Sequence, residues 1–316
     1  KNFWIKKKVL IWQSQIIKTA LFSEFDCLLL LGEMNVISSW ISIFIAKLRG
    51  KKIFMWSHGI YGNESFFKKQ FRLLYLKQSD FIFLYENRAK LLLQQNGFKE
   101  ASFAVVHNSL NYELFDELYK GLLNTNKNEF ITFFKDNTLP TLIFIGRLTK
   151  TKKLPILIEA FKILNQIKIR YNFLIIGGGE DQIYLENTCN SIINRGCLHF
   201  YGNCFDDNKT SGLIYHSDLC VSAGNIGLTA IHSLSYGTPV ASHNNFNNQM
   251  PEIEAIVDGE NGFLFEENNS DDLANKIDNW FLNNSNVDKD LIRKIIVDKY
   301  NPENQMRIFE KIFSDG

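Results

Sequence analysis

The chain has 316 residues, 45% hydrophobic and 22% charged, a balance that suits two α/β domains of ordinary size and excludes a disordered or fibrous chain. Net charge is only +1, yet residues 1–80 carry 13 Lys/Arg against 5 Asp/Glu, an asymmetry that suits an anionic surface or ligand for the first part. No apolar run reaches the roughly 18 residues that a membrane span needs. Cys27, Cys189, Cys197, Cys204 and Cys220 form no CxxC pair, so they read as reduced thiols of a cytoplasmic protein.

Short apolar, β-branched or aromatic runs mark strands at Val9–Trp12, Cys27–Leu31, Lys52–Ser57, Phe81–Tyr85 and Phe103–His107. Residues 112–139 break the rhythm with Asn, Lys, Asp and Glu clusters and end at Leu139-Pro140. Strands resume at Thr141–Ile145, Phe173–Ile176, Leu198–Tyr201, Leu219–Ser222, Pro239–Ser242 and Gly262–Phe265, with helix-period segments such as Leu157–Ile167 and Glu186–Ile193 between them. Alternation of this kind predicts parallel sheets covered on both faces. The expected division is a first domain over 1–136 and a second over 137–302, with a terminal helix at about 303–316 returning to the first.

Four features carry chemistry. Ala223-Gly224-Asn225-Ile226-Gly227 follows a strand and feeds a helix at Leu228-Thr229. Such a helix start offers free backbone N–H groups and a positive dipole end to phosphate. Gly146-Arg147-Leu148 follows a strand and precedes Lys150, Lys152 and Lys153. Arg147 and Lys152 on one loop can clamp a diphosphate as leaving-group charge develops. Gly177-Gly178-Gly179-Glu180 has Gln182 where a dinucleotide fingerprint wants its third glycine, so it reads as a close-packed turn. His58 ends a strand ahead of Gly59. Cys197 and His199 lack a second ligand pair at zinc spacing, and no metal site is expected.

In order along the chain, these pieces resemble glycosyltransferase family four, retaining enzymes of the GT-B fold. The matching segments are His58, Ser79-Asp80, Val105-Val106-His107-Asn108-Ser109, the GRL loop with Lys152, the GGGE turn, Tyr201-Gly202-Asn203, the GL-helix-GTPV segment, Pro251-Glu252 and Asp258 to Gly262. The resemblance implies an α/β GT-B fold, two Rossmann-like domains facing across a cleft. It implies that Gly146, Arg147 and Lys152 meet the donor diphosphate with the amides of Ile226, Gly227, Leu228 and Thr229. Asn203 would lie near the nucleobase, and His58 would reach the donor sugar or departing phosphate. No cofactor is required beyond a nucleoside-diphosphate sugar as donor substrate, and Asp206-Asp207 is a loop, not a metal motif.

The chain departs from the family in two places. The usual pair of glutamates eight positions apart is here Gly224 and His232. Glycine leaves backbone groups or Asn225 to meet the sugar, while His232 can still hydrogen-bond a ribose hydroxyl. Nothing before Val9 supplies the opening strand and glycine-rich loop of such a first domain, so these are expected to be missing. The partners read are a nucleotide sugar, a saccharide or lipid-linked acceptor in cell-surface glycan assembly, and an anionic membrane surface; no nucleic acid is expected. The membrane reading rests on Phe66 to Lys77, which interleaves cations with large apolar groups, and would place a cytoplasmic protein peripherally on the inner face. Rival readings are a non-catalytic glycosyltransferase-like subunit, a sugar-nucleotide epimerase and, more distantly, a dehydrogenase.

Overall fold

The computed structural model describes residues 2–6, 9–284 and 286–314. They divide into two compact units, Lys1–His107 with Ile308–Gly316, and Asn108–Arg307.

In the first unit, β1 (Asn2–Lys6) and β2 (Leu10–Gln13) precede α1 (Ser14–Phe22), β3 (Cys27–Leu31), α2 (Ile37–Leu48), β4 (Lys52–Ser57), α3 (Phe66–Leu76), β5 (Phe81–Leu84), α4 (Asn87–Gln95) and β6 (Phe103–Val105). Strands β3 to β6 form a four-stranded sheet in sequence order, parallel throughout. One sequence expectation changes here. The run expected as a parallel strand at Val9–Trp12 instead pairs antiparallel with β1, Phe3 opposite Trp12, in a two-stranded sheet of their own. Connections of a few residues permit only antiparallel pairing, because a parallel partner needs a crossover of a dozen or more.

The second unit runs α5 (Tyr112–Leu122), α6 (Lys127–Phe130), β7 (Thr141–Ile145), α7 (Leu154–Leu164), β8 (Asn172–Ile176), α8 (Gln182–Ile193), β9 (Leu198–Gly202), α9 (Asp207–Tyr215), β10 (Leu219–Ser222), α10 (Thr229–Ser235), β11 (Val240–His243), β12 (Gly262–Phe265), α11 (Ser270–Asn283), α12 (Lys289–Asp298) and α13 (Pro302–Ser314), whose last turns from Ile308 belong to the first unit. Its six strands lie in the order β12-β11-β10-β7-β8-β9 and are all parallel. Period-2 alternation sends Leu142, Phe144, Phe173, Ile175 and Val221 into a core under α7, α8 and α11. It sends Ile143, Leu174, Ile176 and Cys220 into a second core with residues of α5, α9, α10 and α12.

The division falls at 107/108, where 136/137 was expected. The polar clusters of residues 112–139 are the outer faces of α5 and the turns around α6; Phe115, Tyr119, Leu122, Ile131 and Phe134 are buried in the second core. The return of the chain to the first unit begins at Ile308, not 303: Phe309 packs on Phe83 and Phe313 on Phe54, with ring centroids 4.5 and 5.2 Å apart.

Among the described residues no helix is long and apolar enough to cross a membrane, and no group of three or more His, Cys, Asp or Glu is placed to hold a metal. Asp206 caps α9 by accepting from the amides of Asn208 and Lys209, and His199 stacks on Phe133 at 4.4 Å.

Arg293 fastens α5 to the rest of its unit. Its Nε donates to the Ser235 carbonyl at 2.7 Å and a terminal nitrogen to Asp116 at 2.9 Å, while its guanidinium sits 3.6 Å from the centre of the Tyr119 ring. Arg293→Ala leaves the Ser235 carbonyl and the Tyr119 ring without their cation and Asp116 to Lys120 alone, and is expected to cost about 1–3 kcal/mol, read as a lower midpoint of chemical denaturation. A loss below about 0.5 kcal/mol, the scale of an ordinary surface change, would show that α5 is held by apolar packing alone.

Candidate functional site

In the second unit the chain proceeds from β7 to β8 and β9 on one side of the sheet, then returns to build β10, β11 and β12 on the other. The strand order therefore reverses between β7 and β10. In open parallel sheets, ligands bind beyond the carboxyl ends of the strands at such a reversal. The loop after β7 carries Gly146, Arg147 and Lys152, and the loop after β10 carries Gly224 to Leu228, so both loops named from the sequence meet at this point.

Three strand ends are laced together by backbone alone. The Gly146 amide donates to the Ile176 carbonyl at 3.0 Å, the Gly177 amide to Gly202 at 2.8 Å, and the Leu148 amide to Gly178 at 2.9 Å. A Cβ on Gly177 would overlap the Gly146 carbonyl oxygen, and one on Gly179 the Leu148 carbonyl oxygen. The triple glycine is thus a close-packed turn, as its sequence reading held. A Cβ on Gly178 would meet the Asn203 side-chain amide at 3.0 Å, which places Asn203 beside the same turn.

The decisive contact joins the two loops. Arg147 is exposed and Lys152 half-buried. Lys152 Nζ donates to the Asn225 carbonyl oxygen at 2.5 Å and to its Oδ1 at 2.9 Å. Burial pushes the Lys152 pKa down, the nearby Arg147 charge adds to the fall, and Glu252 opposes it. An ammonium has three N–H donors, so one remains for a ligand. The following residue, Lys153, adopts φ +51° and is tied by Nζ to Glu267 at 2.6 Å and to Asn268 Oδ1 at 2.8 Å.

Gly224 permits this arrangement. A Cβ there would overlap the Thr151 carbonyl oxygen and lie 2.7 Å from Lys152 Cα. The loop after β7 occupies the space a side chain at 224 would need. Beyond it, the Ile226 amide is taken by Gln249 Oε1 at 3.0 Å, and Gln249 is itself braced on Ser242 Oγ and the His243 carbonyl. Gly227 turns the chain at φ +58° into α10, where the Ala230 amide donates to the Gly227 carbonyl at 3.0 Å, so the amides ahead of it, through Thr229, stand outside the helix ladder. Thr229 Oγ1 points back to the Ile145 carbonyl at 3.3 Å.

Two of the residues named from the sequence, His232 and His58, pack on aromatic rings. His232 stacks on Phe115 of α5, centroids 4.9 Å apart and planes within 19°. Burial lowers its pKa to about 4, so at neutral pH it is an uncharged ring packed between helices. His58 lies in the first unit at the end of β4, stacked at 4.5 Å on Tyr85 with its Nδ1 buried and without a partner among the described residues; burial first, then the Arg72 charge, lowers its pKa. Gln249 was missed because nothing in an Asn-rich loop marks one amide as a brace. Glu252 was noticed only as part of a run, although its place two residues after Met250, beside the loop, is what matters.

Gly224→Ala forces the loop after β7 off its seat. It is expected to cost roughly 1–3 kcal/mol, the usual range for overpacking, seen as a lower melting temperature. An unchanged melting temperature would show that the Lys152 loop yields freely.

A model of the family described as glycosyl transferases group 1 matches residues 126–303, more than half the chain and every element from β7 to α12. An uncharacterized glycosyltransferase of Methanocaldococcus jannaschii is 22% identical over 255 residues, covering 78% of this chain and 62% of that protein's own length. Among solved structures, HepE of Anabaena in complex with UDP superposes with a TM-score of 0.70 at 16% identity, covering 95% of this chain and 81% of that one. The apo lipopolysaccharide outer core galactosyltransferase WaaB gives 0.71 at 16% identity, covering 96% and 79%. These likenesses give the two parallel-sheet units their fold class, GT-B, and the chain belongs to the glycosyl transferases group 1 family.

Proposed function

We propose that this chain is a retaining glycosyltransferase that moves a sugar from a nucleoside-diphosphate sugar to a hydroxyl of a saccharide or lipid-linked saccharide acceptor in cell-surface glycan assembly. The observation that carries this reading is the convergence of Arg147, Lys152 and the start of α10 at the strand-order reversal. The bond from the anomeric carbon to the diphosphate breaks, and negative charge gathers on the leaving oxygens. Fixed cations and backbone dipoles in a half-buried site stabilise that charge without reorganising, and holding donor and acceptor in place supplies much of the remainder. HepE, of the same fold, was solved with UDP, and WaaB acts on lipopolysaccharide outer core by its name; both support the substrate classes named. His58 is assigned to the donor sugar or the departing phosphate, as the family resemblance implies, and its lowered pKa keeps the ring neutral for hydrogen bonding.

The first unit supports the peripheral-membrane part of the proposal. Trp40 of α2 packs on Phe71 of α3 at 5.2 Å, and Lys47 donates to Gln78 at 3.3 Å, so the two helices lie side by side. Ile41, Phe44 and Leu48 on one, and Phe66, Phe67, Phe71 and Leu74 on the other, are exposed, Phe67 at 85% and Leu48 at 73%. Lys47, Lys68 and Lys77 stand exposed among them. Apolar groups ringed by lysines suit an anionic lipid surface.

A second reading, a subunit that binds nucleotide without turning it over, draws on Gly224, which brings no side chain to the sugar. A thermal-shift panel of nucleoside diphosphates and their sugars, followed by turnover of whichever sugar binds, separates the two. Arg147→Ala and Lys152→Ala are each expected to lower kcat/KM roughly 100-fold or more, the first with the melting temperature kept and the second, which also unties Asn225, with the fold kept by circular dichroism; near-normal activity in both would overturn the assignment. In flotation assays, vesicles rich in anionic lipid are expected to carry the wild type, and Phe67→Ser with Phe71→Ser to release it. Equal recovery with neutral vesicles would remove the membrane claim.

A further inference from the structure

Glu252 lies in a short 3-10 turn, Pro251–Ala255, and only 3% of it is exposed. One carboxylate oxygen, Oε1, accepts from Asn108 Nδ2 at 2.9 Å. That amide cannot turn away, because its own Oδ1 accepts from the Ser109 backbone at 3.1 Å. The other oxygen, Oε2, is buried and has no partner among the described residues. A buried carboxylate oxygen without a donor is costly, and a native site that keeps one does so for a reason.

The surroundings say what that donor would be. The segment leading to Glu252 lines the loop after β10: Gln249 holds the Ile226 amide at 3.0 Å, and Met250 Cγ lies 3.8 Å from where a Gly227 Cβ would be. Lys152 senses the Glu252 charge but gives its hydrogen bonds to Asn225. A phosphate would be repelled by Glu252. A neutral hydroxyl would not, and a carboxylate is a strong acceptor for one. In a nucleotide sugar the hydroxyl-bearing ring is joined to the phosphate that Arg147 and Lys152 would hold.

We infer that Glu252 is a specificity-determining residue whose Oε2 accepts a hydrogen bond from a hydroxyl of the donor sugar, at a site where Gly224 brings no side chain and leaves no room for one. This rests on the donor-site reading above. Its test is calorimetric titration with UDP and UDP-glucose, GDP and GDP-mannose, and dTDP and dTDP-glucose, using the pair that the wild type binds most tightly. Glu252→Gln keeps the volume and an acceptor for Asn108; Glu252→Ala is the second variant, and circular dichroism establishes that each is folded. In both variants the free diphosphate is expected to bind within about twofold of wild type while the nucleotide sugar weakens about tenfold. Equal weakening of both ligands would make Glu252 a purely structural partner of Asn108 and overturn the inference, as would no change in either. A wild type that binds none of the diphosphates would instead overturn the donor-site reading itself, and this inference with it.

Discussion

The contact between the Lys152 ammonium and Asn225 is the hinge on which the site turns. It joins the loop after β7 to the loop after β10, the two strands between which the sheet order reverses. A lysine held only by solvent would sample many rotamers, and ordering it on a ligand would cost side-chain entropy. Here two oxygens of one residue fix the ammonium before any ligand arrives. Partial burial lowers its pKa, a sign that the charge is poorly solvated and would gain from an anion.

That contact exists because residue 224 has no side chain. The Thr151 carbonyl and Lys152 Cα fill the place of a Cβ there, so the missing carboxylate is not an empty slot. The same economy of space recurs at Gly177 and Gly179, where carbonyl oxygens of the β7 loop press on backbone. Glycines at these positions let three loops approach closely enough for backbone hydrogen bonds to set their geometry. The cations are therefore mounted on the ends of a rigid parallel sheet, whose strand β8 is buried along its whole length.

Much of this was legible in the sequence. Runs such as Thr141–Ile145 and Leu219–Ser222 are buried parallel strands, whose continuous apolar character does not depend on distant partners. Arg147, Lys152 and the loop from Gly224 to Thr229 could be named because glycine, cation and strand end fall at fixed short spacings. What could not be read depends on tertiary contact. Polar residues between 108 and 136 hid Phe115 and Tyr119, which face a core built from strands far along the chain. His232 occupies a position that suggested a ribose contact, but only the packing of α5 on α10 reveals its stack on Phe115. The antiparallel pairing of Phe3 with Trp12 is equally invisible in a run that looks like any other short strand.

The most direct measurement of the donor site is a structure of the chain bound to the nucleoside diphosphate it prefers. Diphosphate oxygens are expected within hydrogen-bond distance of Arg147, of Lys152 Nζ and of the amides at Gly227 to Thr229, with Gly224 still packed beneath Lys152. A nucleotide seated elsewhere, or one whose phosphates avoid both cations, would contradict that site.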